Sequence, residues 1–112
     1  MTDFVELVTT AASREAAERI ARPLVERRLV ACAQISGPIH SAYRWRGQVE
    51  SADEWRCAVK TRLSLVGEVE RAIRELHDYE TPEIVVTRFE HVSDAYRAWL
   101  DTELKRPERD AL

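Results

Sequence analysis

The side chains that could hold a soft or borderline metal in this 112-residue chain are two cysteines, Cys32 and Cys57, and three histidines, His40, His77 and His91. The cysteines are not in C-x-x-C spacing and the histidines form no H-x-H or H-x-x-x-H pair, so any metal site must be assembled by folding. The Cys32 thiol would suit Cu(I). A cysteine set among Val30, Ala31 and Ala33 is nevertheless ordinarily a small buried hydrophobe, and Cys57, between Trp55 and Val59 on an alternating strand, reads the same way. His77 falls at the end of a helical pattern, where a cationic imidazole is favoured by the helix dipole. His40 and His91 read as surface or strand histidines.

A second set has the makings of a small-molecule pocket. Trp45 and Tyr79 would supply aromatic walls, Thr81 a hydroxyl and Lys60 the cation for a small anion or metabolite, with Glu50 and Glu83 as hard oxygen donors. In the competing structural reading Trp45 anchors a hairpin tip against a neighbour, Tyr79 and Thr81 fix the turn before Pro82, and Lys60 is a solvated strand end. No Ser-His-Asp or Cys-His pair stands at legible spacing, so no enzyme is read. Thr9-Thr10-Ala11-Ala12 has no glycine to build a phosphate-cradling loop. Arg46-Gly47-Gln48-Val49 lacks the stacking aromatics of an RNA-reading strand.

These residues must be positioned by seven elements in the order β-α-β-β-α-β-α. Phe4 to Thr10 is short and β-branched, and Ser13 caps a helix with Ala17, Ile20, Ala21, Leu24 and Val25 on one stripe, ending near Arg28. Pro23 should bend or loosen that helix. Leu29 to Ser36 and Ile39 to Trp45 read as strand interrupted by Gly37-Pro38, which belongs at a bulge or an edge. Arg46-Gly47 makes a tight turn into Val49 to Thr61. Ser64 caps a second helix ending around His77, Glu83 to Val92 reads as strand, and Ser93 caps a last helix carrying Tyr96, Trp99 and Leu100.

The string folds most economically as an α+β domain, a ferredoxin-like β-α-β-β-α-β sheet with a long central hairpin and an additional C-terminal helix. One domain over 1–105 and a polar tail over 106–112 are expected. The hairpin is too long for that body: residues 49–61 span ~43 Å at ~3.3 Å each, against ~21 Å for a fourteen-residue helix. Its arms carry Tyr43, Trp45 and Trp55, which a monomer leaves uncovered, so self-association follows.

A net charge of −3 makes no case for nucleic acid or an anionic membrane surface. No basic segment followed by an apolar stretch opens the chain and no apolar run approaches ~18 residues, so no membrane span and a cytoplasmic location are expected, with reduced thiols.

The segments LVACAQISG, YRWRGQVE, VKT at Val59 to Thr61, HDYETPEI and YRAWL resemble, in order, successive blocks of the CutA family from about Val5 to Leu104. The resemblance implies a ferredoxin-like subunit, an intertwined homotrimer and a link to copper or general divalent-cation tolerance. CutA proteins with a proposed copper site carry a cysteine near the end of strand one and adjacent histidines before the Tyr-x-Thr-Pro block. Here those positions read Val8 and Leu76-His77, so only His77 carries over as a metal ligand, joined by Cys32 of the Ala-Cys block or by Glu83 as an oxygen donor. Copper binding weaker than in relatives with the full set is the expectation. The alternative is a trimeric sensor or signalling protein that binds a small molecule in intersubunit clefts, by analogy of subunit plan.

Overall fold

The computed structural model describes residues 2–107, so most of the expected tail lies outside it. β1 (Phe4–Ala11) is followed by Ser13, whose backbone stays extended while its Oγ accepts the Ala16 amide at 3.0 Å, the N-cap that the sequence predicts. α1 (Arg14–Glu26) buries Ala16, Ala17, Ile20, Ala21 and Leu24 on one stripe. The helix runs through Pro23 without ending, and the Arg27 amide still donates to the Pro23 carbonyl. The ring falls in the last turn, beside exposed Arg19 and Arg22, where one missing bond costs least. Arg28 then takes positive φ, and the Arg28 and Leu29 amides donate back to Val25 and Leu24, a Schellman closure made without glycine.

β2 (Cys32–Trp45) and β3 (Gln48–Arg62) form the long hairpin, and the sheet order is β2-β3-β1-β4 with every pairing antiparallel. Arg46 and Gly47 take φ of 50° and 79°, two successive left-handed residues of the kind a two-residue hairpin turn needs. At Gly37-Pro38 the register jumps from Ser36 opposite Arg56 to Ile39 opposite Glu54, so the expected interruption is a bulge inside one strand. A Cβ on Gly37 would lie 2.9 Å from the Trp55 ring, which leaves room for glycine only. Trp55 packs against the core within its own chain, correcting the expectation that it is left uncovered. Tyr43 and Trp45 remain 43% and 41% exposed.

Leu7, Thr9 and Ala11 of β1 face Val59, Cys57 and Trp55 of β3, and this row meets the helices to form the core with Leu24, Ile73 and Leu100. Two boundaries depart from the sequence reading. Ser64 lies inside a 3-10 turn (Leu63–Leu65), and α2 (Val66–Leu76) starts after Leu65 with no side-chain cap. β4 (Val85–Arg88) has four residues where the sequence predicts 83–92: its register with β1 covers those four, a further bond passes from the Phe89 amide to the Phe4 carbonyl, and the strand ends there. α3 (Asp94–Glu103) is capped by Ser93 and seats Leu100 in the core. Arg28 donates to the carbonyls of Thr102 and Glu103, and Arg62 pairs with Asp101 at 2.9 Å, tying α3 to the body. Among the described residues no helix is long and apolar enough to cross a membrane.

Candidate functional site

The loop that follows α2 is pinned to the sheet by one imidazole. The His77 backbone amide closes α2 on the Ile73 carbonyl, and its ring then bonds in two directions. Nε2 donates to the Thr10 carbonyl at 2.7 Å, and Nδ1 accepts the Tyr79 amide at 3.0 Å. This pattern requires the proton on Nε2 and a bare Nδ1. The ring also lies 4.6 Å from that of Tyr79, centre to centre. His77 therefore has no free nitrogen for a metal, and its place at the helix end serves the loop rather than the last-turn carbonyls.

So held, Tyr79 reaches across to β3, where its hydroxyl donates to Glu54 Oε2 at 2.9 Å. Burial pushes the phenol up to about 12, helped by the hydrogen bond and charge of Glu54, so Tyr79 remains a protonated donor at neutral pH. Around this pair opens a cavity of about 470 Å³. Thr10 of β1 and Tyr43 and Trp45 of β2 line it, and Asp78, Glu80, Thr81 and Glu83 line the loop side. Its size falls in the range of small-molecule sites.

The charges of this cavity are unevenly matched. Arg46 lies 3.5 Å from Glu80 and 5.4 Å from the centre of the Trp45 ring, and Arg19 lies 3.6 Å from Asp78. Glu54 and Glu83 have no such partner among the described residues. Glu54 is only 9% exposed.

Of the residues singled out in the sequence, Trp45, Tyr79, Thr81 and Glu83 come together here. Lys60 does not: it donates to Gln34 at 2.8 Å and stands opposite Glu6 and Cys32 in the sheet. It is six strand residues from Glu54, about 20 Å at ~3.3 Å per residue, so the expected meeting of Lys60 with Tyr79 and Thr81 does not occur within one subunit. Glu50 faces Tyr43 across the hairpin but does not line the cavity. Sequence reasoning missed Glu54, an acid whose alternate neighbours along the strand are Ala52 and Arg56, a pattern that reads as a solvated strand face. Tyr43 reads in the sequence only as a hairpin aromatic.

The proposed metal ligands do not converge. Cys32 is half-buried in the row of Lys60 and close enough to Tyr96 to help raise that phenol, after burial itself. Glu83 lies at the cavity, and the His77 nitrogens are both engaged. No group of three or more His, Cys, Asp or Glu side chains among the described residues could hold a metal ion. The donor set of one chain thus does not fit copper, which needs soft thiolates and free imidazoles held together. Cys57 is fully buried and its thiol is pushed up to about 11 by burial. His40 pairs with Asp53 across the hairpin at 3.0 Å, and His91 is exposed.

The family described as CutA1 divalent ion tolerance protein matches residues 5–103. The chain is 40% identical over 92 residues to the divalent-cation tolerance protein CutA of Archaeoglobus fulgidus, covering 82% of this chain and 89% of that one. It is 33% identical over 96 residues to the chloroplastic protein CutA of Arabidopsis thaliana, of whose length it spans about half, 53%. The crystal structure of CutA from Xylella fastidiosa superposes with a TM-score of 0.89 at 30% identity, over 93% of this chain and all of that one, 100%.

Proposed function

The chain belongs to the CutA1 divalent ion tolerance family, and from that premise we propose that it serves divalent-cation tolerance as a homotrimer that binds its ligand and does not transform it. The observation that carries this reading is the apolar surface left on the hairpin and the sheet edge. Tyr43 and Trp45 stand about two-fifths exposed, Val49 is 72% exposed and Val85 54%. Covering the exposed part of each ring, ~60–100 Å², is worth ~1.5–2.5 kcal/mol at ~25 cal/mol per Å². A closed ring of copies would also cover the open edges of β2 and β4. The two unpaired cysteines support a reducing, cytoplasmic setting. Light scattering behind size exclusion should give three times the 12.9 kDa subunit. A stable monomer at micromolar concentration would remove the reading.

Copper contact in this reading is weak, because Val8 and Leu76 stand at two ligand positions and the His77 ring is committed to the loop. Oxygen donors such as Glu83 suit harder cations. A second reading, a trimeric small-molecule sensor, draws support from the aromatic cavity at Tyr79.

A further inference from the structure

The cavity at Tyr79 carries more negative charge than the described residues neutralise. Glu54 is nine-tenths buried, accepts one hydrogen bond at Oε2, and has no Lys, Arg or His within ion-pair distance among the described residues. Its Oε1 takes no hydrogen bond from the described residues and is not sealed from solvent, so it stays open to an incoming donor. A mostly buried carboxylate in that state is best matched by a positive group that can also donate an N–H bond. The walls beside it are the rings of Tyr43, Trp45 and Tyr79, whose faces attract cations. The rim already displays this chemistry: the Arg46 guanidinium lies by both the Trp45 ring and Glu80. That cation is spent at the rim, Arg19 is spent on Asp78, and the interior carboxylate stays unmatched.

We propose that this cavity binds a small organic cation, a primary amine or guanidine, whose charged head is received by Glu54 and whose body lies between the aromatic walls. Exposed Glu83, which like Glu54 has no ion pair among the described residues, receives a second positive group when the ligand carries one. The proposal rests on the sensor reading and names its ligand class. An anion is disfavoured by four lining carboxylates. A bare divalent ion would leave the rings and most of a cavity of about 470 Å³ unused.

The test is calorimetric titration of the purified full chain, with light scattering on the same sample to report assembly separately. The probes are agmatine, n-butylamine, neutral n-pentanol and inorganic phosphate. Agmatine should bind once per subunit, more weakly as salt rises, while n-pentanol and phosphate give no saturable heat. Glu54→Gln keeps an acceptor for Tyr79 yet should lower agmatine affinity by about tenfold or more. Glu83→Gln, at an exposed position that folding does not depend on, should weaken agmatine and leave n-butylamine unchanged. Equal binding of agmatine and n-pentanol, an unaltered affinity in Glu54→Gln, or phosphate binding would overturn the proposal. So would the absence of agmatine binding at millimolar concentration in an intact trimer, which would assign the cavity to a side chain of a neighbouring copy and leave the assembly reading standing.

Discussion

Replacing His77 by alanine should loosen the loop that carries Tyr79, and three contacts set the size of the effect. The ring's bond to the Thr10 carbonyl at 2.7 Å and its bond from the Tyr79 amide at 3.0 Å are each worth ~0.5–1.5 kcal/mol net. The ring contact with Tyr79 adds ~0.5–1 kcal/mol, so the variant should lose ~1.5–4 kcal/mol in all. Urea unfolding followed by tryptophan fluorescence measures this, at one fixed protein concentration because assembly makes the midpoint concentration-dependent. The midpoint should fall with the slope unchanged. A loss under about 0.5 kcal/mol is what an ordinary surface substitution gives, and it would refute the pin. Metal addition separates the pin from a ligand. A ligand role predicts that Cu(II) stabilises the natural protein and that the gain disappears in His77→Ala, whereas a pin predicts the same loss with and without copper. Submicromolar, stoichiometric copper binding abolished in His77→Ala would overturn the argument and bring the metal reading forward.

Gly37→Ala should destabilise the chain by ~1–3 kcal/mol in the same unfolding assay, since the new methyl would sit 2.9 Å from the Trp55 ring; a neutral result would mean that the bulge shifts freely. Trp45→Ala should raise the concentration below which the trimer dissociates in light scattering, and an unchanged dissociation midpoint would put the ring on open surface. Burial and Glu54 raise the Tyr79 phenol from 10.0 to about 12, so the folded state keeps a proton that the unfolded chain gives up. The stability contributed by this group is complete below pH 10 and is lost as pH climbs toward 12, and Tyr79→Phe should flatten that alkaline decline. The Cys57 thiol, fully buried and raised to about 11, should react with a thiol reagent only as the chain unfolds; labelling at the native-state rate of a free thiol would contradict its burial.

Local chemistry made much of this protein legible in the sequence. Ser13 and Ser93 cap helices because their hydroxyls lie where orphan amides need an acceptor, and Arg46-Gly47 turns the hairpin because glycine accepts positive φ. The apolar spacing of Ala17, Ile20, Ala21 and Leu24 marks the buried stripe of α1, and the element order implies the antiparallel sheet. Of the cavity, Trp45, Tyr79, Thr81 and Glu83 were visible as residue types. Their convergence was decided elsewhere, by strand register. Whether Glu54 or Lys60 reaches Tyr79 depends on where β3 meets the loop, and six residues along a strand separate those positions by about 20 Å. Spacing in sequence carries no such information, because residues 10, 43, 54 and 79 become neighbours only when three strands and a loop are packed. The same holds for His77, a plausible ligand by type whose two nitrogens are claimed by the Thr10 carbonyl and the Tyr79 amide once the chain folds. Residue type determined what each side chain could do, and tertiary packing decided which partners were within hydrogen-bonding reach.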